Sequence, residues 1–149
     1  MIVAGIAGIC GIIILIELWL YWSVDVWKTL AQDYSYSGKK PDRVRSHESG
    51  KIYYYPIAPT HYWKTLSVAV DSDALYVWLA KPLHPLKKML RLPFSELNET
   101  GSSKIHLWQS SKHIVFTTLA QPRIKICLSE DVVAWVKSEW NDFDHAGSD

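Results

Sequence analysis

The sequence predicts a mainly β domain closed by a C-terminal helix and carried on an N-terminal membrane helix. Three observations lead there. Residues 2–22 form an almost unbroken apolar run. From residue 51 onward, apolar residues alternate at period two in short segments separated by turn-forming residues. From residue 130 the apolar spacing becomes helical. Composition narrows the function classes. The 149 residues carry 16 Lys and Arg against 15 Asp and Glu, for a net charge of +1. That balance excludes a polycationic nucleic-acid binder, so no nucleic-acid partner is expected. Apolar residues make up 48% of the chain and there are 8 Trp, enough for a folded core. The 2 Cys are too few for a disulfide scaffold or a cysteine-based zinc site.

Residues 1–22 are expected to be a transmembrane anchor. The run IVAGIAGICGIIILIELWLYW has one charge, Glu17. About 20 apolar residues suffice for a helix to cross the hydrocarbon layer. Trp19, Tyr21 and Trp22 cluster at one end, where amphipathic rings favour the headgroup zone. A cleaved signal peptide would need a basic start and a small-residue cleavage site, and neither is present. No Lys or Arg precedes the run, whereas Lys28, Lys39, Lys40, Arg43 and Arg45 follow it. The positive-inside rule therefore places the C-terminal bulk in the cytoplasm of a single-pass protein. Within the anchor, Ala4, Gly8 and Gly11 give a small-residue face suited to helix–helix contact. Glu17 either snorkels to the interface or pairs with a partner helix.

Residues 23–50 form a juxtamembrane segment. Val24, Trp27, Leu30 and Ala31 recur at helical spacing, so an amphipathic helix is expected there. Gly38 and Pro41 end it. The basic stretch up to Gly50 reads as a linker or as an extended lead-in strand. The β domain proper is expected over residues 51–141. Strands are predicted at 51–58, 66–70, 74–80, 89–94, 105–108, 113–119 and 123–128, with 71–73 as a hairpin turn and 95–103 as a longer turn. Seven short strands at this spacing suggest a barrel or sandwich. Ser129 is a good helix N-cap, and Val132, Val133, Val136 and Trp140 share one helix face. Residues 142–149 read as an acidic, frayed tail.

Seven strands followed by one C-terminal helix resemble the pleckstrin-homology-like (PH-like) superfold in its bacterial, GRAM-like versions. The segment from Asp73 to Leu79, DALYVWL, resembles the Gly-Leu-hydrophobic strand of those domains, with Ala74 where the pattern favours Gly. His84-Pro-Leu and then Leu90-Arg-Leu-Pro-Phe-Ser-Glu-Leu resemble the strand that follows it. The chain is similar to bacterial inner-membrane proteins in which an anchor precedes a Trp-x-x-Leu-Ala-x-x-Tyr segment, here Trp27 to Tyr34. The resemblance implies a seven-stranded bent sheet closed by a helix, in an inner-membrane protein.

No motif for catalysis or cofactor binding stands out. There is no Gly-rich phosphate loop, no Gly-x-Ser-x-Gly elbow and no His-Glu-x-x-His, so neither an enzyme nor a cofactor is expected. His106 and His113 flank a predicted turn, without a third metal ligand nearby. Charge placement is more informative. Between Lys81 and Lys125 eight basic residues face two acidic ones, and after Lys137 every charged side chain but histidine is acidic. The loop Pro82-Leu-His-Pro-Leu-Lys-Lys88 sets Leu83 and Leu86 beside Lys87 and Lys88, with Arg91 close behind. That pattern suits contact with an anionic lipid surface or a protein partner. Most of the Trp residues should be core, with one or two left to anchor a partner. The expected function is a membrane-tethered, non-enzymatic binding or scaffold module. The alternative is a small accessory or assembly subunit of a membrane complex.

Overall fold

The structure is a computed structural model that describes residues 26–54, 60–80, 87–104 and 112–146. The apolar run at 2–22 lies outside them, as do Ala4, Gly8, Gly11 and Glu17. No helix among the described residues is long and apolar enough to cross a membrane.

The described chain is mainly β. Helix α1 spans residues 26–34. It is followed by β1 (Ser35–Tyr36), β2 (Val44–Tyr54), β3 (Thr60–Val70), β4 (Ala74–Leu79), β5 (Met89–Pro93), β6 (Leu97–Lys104), β7 (Lys112–Thr118), β8 (Ile124–Ser129) and helix α2 (Glu130–Ala146). All eight strands belong to one antiparallel sheet in the order β1-β5-β4-β3-β2-β8-β7-β6. A meander of four strands, β2 to β5, thus meets a meander of three, β6 to β8, at the β2–β8 pair. Leu90 and Leu92 from β5, Ile126 and Leu128 from β8, and Val132 and Val136 from α2 join one buried cluster. The sheet must therefore curve around a single core.

Strand β2 makes that curve. It pairs with β3 over Val44–Ile52 and with β8 over Gly50–Tyr54, so near Gly50 it has neighbours on both sides. A Cβ at Gly50 would sit 2.7 Å from Leu66 Cδ1 and 2.9 Å from the Cys127 carbonyl oxygen. Only a residue without a side chain allows this approach. Register irregularities between Ser46 and Gly50 lead into the site, and His47 on β2 and Lys64 on β3 take positive φ values of 62° and 48° there. Gly50→Ala should cost ~1–3 kcal/mol through forced backbone movement, read as a lower denaturant midpoint with unchanged slope.

The α1 residues Trp27, Leu30 and Tyr34 follow the i, i+3, i+7 spacing of one face and are 2%, 0% and 6% exposed. They belong to the same core as the sheet, so α1 is part of the domain. Strand β4 is buried at every position, because both of its faces are covered. Leu75, Val77 and Leu79 face the core, while Tyr76 and Trp78 face a second cluster with Met89 and Tyr36. The second cluster is roofed by the stretch after α1. Tyr36 packs edge-on to Tyr76 at 5.2 Å, and the Lys40 ammonium lies 5.3 Å from the Trp78 ring centre.

Four expectations change. The basic stretch before residue 50, open between a linker and an extended lead-in strand, is the strand Val44–Tyr54, so the boundary expected at residue 51 moves back to Val44. Its Arg43 and Arg45 rest on α2: Arg43 pairs with Glu139 and lies 4.9 Å from the Phe143 ring, and Arg45 lies 5.7 Å from the Trp135 ring. Most of the turn expected at 95–103 is strand instead, within β6 (Leu97–Lys104). The sequence LNETGSSK lacks apolar alternation because β6 is an edge strand, where polar residues suppress further pairing. The strand expected at 105–108 lies outside the described residues. Among the described residues the sheet has eight strands: six overlap predicted ones, and β6 and the two-residue β1 are additions. Lastly, α2 continues through the predicted tail as far as Ala146. Its start is as expected: Ser129 Oγ accepts the Val132 N–H at 3.4 Å.

Candidate functional site

A cationic cleft forms where α1 meets the loop entering β5. Its volume is about 470 Å³, and it is lined by Trp27, Lys28, Ala31, Gln32, Ser35, Lys87 and Lys88. Its construction starts with Trp27. The indole ring is buried against Tyr62, edge to face at 5.7 Å. Its Nε1–H donates to the Lys88 carbonyl oxygen at 2.9 Å. A buried indole N–H needs such an acceptor. This bond ties the segment before β5 to α1 across 61 residues of sequence.

Lys87 occupies the aromatic corner. Its Nζ lies 5.3 Å from the centres of both the Trp27 and Tyr62 rings, and it donates to Tyr62 Oη at 3.2 Å. Burial pushes its pKa down to about 8. The sign of the linkage follows. Below pH 8 the charge is present in folded and unfolded chains alike, and the folded state bears its desolvation. Between pH 8 and 10.5 the folded state sheds the proton first, so the domain gains stability as pH rises through that window. The ring faces return part of the cost. Lys87→Met keeps the stem and removes the charge, and should raise stability by ~1 kcal/mol at pH 7. A calorimetric midpoint unchanged or lowered would contradict this.

Of the residues singled out in the sequence, Lys87 and Lys88 line this cleft, whereas Leu83 and Leu86 lie outside the described residues. Arg91 belongs to a different cluster. Its Nη2 bonds Asp73 Oδ2 at 2.5 Å and its Nε–H donates to Tyr76 Oη at 3.1 Å. Tyr76 Oη donates to Asp71 Oδ2, and Asp71 Oδ1 accepts the N–H groups of Asp73 and Ala74 at 3.0 and 2.9 Å. This Asx turn closes the β3–β4 hairpin without a glycine, which explains Ala74. Burial and the Asp71 carboxylate push the Tyr76 phenol up to about 12. Burial alone would raise the Asp71 carboxyl, but the hydrogen bonds from Tyr76, Asp73 and Ala74 hold it below its ordinary value. Arg91 is thus committed to the hairpin.

Sequence reasoning missed Lys28, Trp27 and Tyr62 as parts of one site. The helical spacing of Trp27 marked it as buried, but not what it would be buried against. Among the described residues no group of three or more His, Cys, Asp and Glu side chains is arranged to hold a metal ion. His113 is buried on β7, and His106 lies outside the described residues. No family model matches the chain, and no curated protein does.

Proposed function

We propose that the chain is a single-pass, membrane-anchored binding module whose cationic cleft meets anionic lipid headgroups beside its own anchor. Residues 2–22 hold it in a bacterial inner membrane, and the PH-like β domain stands on the cytoplasmic side. The carrying observation is the hydrogen bond from Trp27 to the Lys88 carbonyl oxygen. Trp27 follows the aromatic end of the apolar run by five residues. A loop pinned to Trp27 is therefore pinned close to where the chain leaves the bilayer. Lys28, Lys87 and Lys88 meet in the same cleft. A cation close to an anionic surface is worth ~1 kcal/mol. Seven longer strands followed by a C-terminal helix support the PH-like reading. No residue of the cleft is assigned a catalytic role, and a protein recruited to the same surface would add to the headgroup contact.

The reading is tested with the chain from residue 23 onward, which keeps α1, mixed with lipid vesicles. Co-sedimentation is expected with vesicles containing phosphatidylglycerol and not with purely zwitterionic ones. It should fall as salt rises past 0.15 M, where screening sets in at ~8 Å. Equal binding to both vesicle types would refute the headgroup contact.

A further inference from the structure

Strand β3 leaves the regular pattern between Tyr62 and Leu66. Both of those side chains are buried in the core. Regular alternation would send Lys64, midway between them, into the same core. It goes elsewhere. Tyr62 stands opposite Gly50 and Leu66 opposite Glu48, so residues 63–65 of β3 face Ser49 alone on β2. The surplus length forms a bulge. Lys64 turns out of the core at a φ of 48°, and its N–H donates to Ser49 Oγ at 3.0 Å. Trp63 and Lys64 are therefore consecutive strand residues that are both exposed, Trp63 at 64%.

Each half of this pair is unfavourable in water. A left-handed conformation is disfavoured at a residue that carries a Cβ. An indole left exposed keeps one of the largest apolar side-chain surfaces in contact with solvent. Bulges re-aim side chains, and this one aims a tryptophan and a lysine outward together.

The bulge sits at the same end of the sheet as the cationic cleft. Tyr62, one residue before Trp63, packs against Trp27 and accepts from Lys87 Nζ. The Thr65 carbonyl oxygen accepts the Ala80 N–H at 2.7 Å, just past the end of β4. Strand β5 enters at this end too, directly after Lys88. The other large apolar side chains exposed among the described residues lie toward the opposite end. Val44 pairs with Ala69, Trp140 donates to the Ser72 carbonyl oxygen at the β3–β4 turn, and the Leu119 N–H donates to the Glu96 carbonyl oxygen.

We infer that the Trp63–Lys64 bulge is a second membrane contact, with the indole among the lipid headgroups and the ammonium on lipid phosphate. The inference rests on the cleft reading for the side of the domain that faces the bilayer. The two side chains select the occupant. An amphipathic ring is favoured at headgroup level, and a lysine beside it can lay its stem on the bilayer surface and keep its charge in water. A protein hot spot is ordinarily ringed by further contacts that exclude water. A lone tryptophan with a lysine suits a bilayer better, because a bilayer needs no complementary shape.

The test uses the full chain, labelled with fluorotryptophan, in nanodiscs containing phosphatidylglycerol. The fluorine resonance missing from Trp63→Phe is that of Trp63. A nitroxide carried on a lipid headgroup should broaden it more than a soluble paramagnetic chelate does. Lys64→Asn tolerates a positive φ and removes the cation, and should reduce the lipid effect at least about twofold. Broadening by the chelate alone would overturn the proposal and leave the bulge to a protein partner. An unchanged lipid effect in Lys64→Asn would overturn the role given to the ammonium. The cleft is judged separately, by the preference for phosphatidylglycerol over zwitterionic vesicles. Loss of that preference, with Trp63 still broadened by lipid, would refute the cleft contact and sustain the bulge contact.

Discussion

Replacing Trp27 by alanine should cost ~3–5 kcal/mol of domain stability, enough to unfold a marginal domain. The side chain is 2% exposed, packs edge-on to Tyr62 and joins the core that holds β2 to β8 together. Its removal opens a cavity and also deprives the Lys88 carbonyl of its donor. Denaturant unfolding of the chain from residue 23 onward measures this directly. Trp27→Phe separates the two contributions, because it retains most of the packing and loses only the hydrogen bond. It should cost ~1–2 kcal/mol and leave the fold intact. A loss below 1 kcal/mol for Trp27→Ala would mean that α1 is an appendage. A corollary concerns truncation. Cutting at residue 51, the boundary expected from the sequence, removes α1, β1 and most of β2. That fragment should fail to fold, whereas a cut at residue 23 should not.

The second large effect concerns the cleft. Reversing Lys87 and Lys88 to glutamate should weaken association with phosphatidylglycerol vesicles by at least ~2 kcal/mol, or roughly thirtyfold. Lys88 is exposed and Lys87 is half-buried, so the pair mixes a surface effect with a buried one. Lys28→Glu, on the exposed side of α1, reports on the surface effect alone and should cost ~1 kcal/mol or more. Circular dichroism of each variant separates lost affinity from lost fold. Unchanged vesicle binding in Lys28→Glu and in the double variant would reject the headgroup contact and leave recruitment of a protein as the function of this surface.

Both predictions depend on contacts that sequence patterns do not encode. Lys87 and Lys88 stood out as cations beside leucines on a proline-bounded loop. Lys28 read only as part of the charge asymmetry that sets membrane orientation. The two meet because a single indole N–H found its acceptor 61 residues away. Arg91 shows the converse. By position it belonged with the basic loop, but β-pairing aligns it with Tyr76 and carries it to the Asp71 turn. A shift of one residue along a strand sends a side chain to the opposite face.

What the sequence determined by itself was local. Period-two alternation marked β8 and the second half of β3, runs of β-forming residues between turns marked β4 and β7, the Ser129 cap marked the start of α2, and the spacing of Trp27 and Leu30 marked the buried face of α1. These features follow from backbone geometry and from the need to hide apolar surface, both of which act over a few residues. Strand β6 escaped because an edge strand hides little, and the early start of β2 because its polar half is held by pairing with β3. Only the tertiary structure decided that α1 belongs to the core, that β2 bends at Gly50 to join two meanders, and that Lys87 and Lys88 line a cleft beside α1 while Arg91 goes to the Asp71 turn. Those outcomes rest on close packing and on hydrogen-bond partners distant in the chain, which become defined only when the whole core closes.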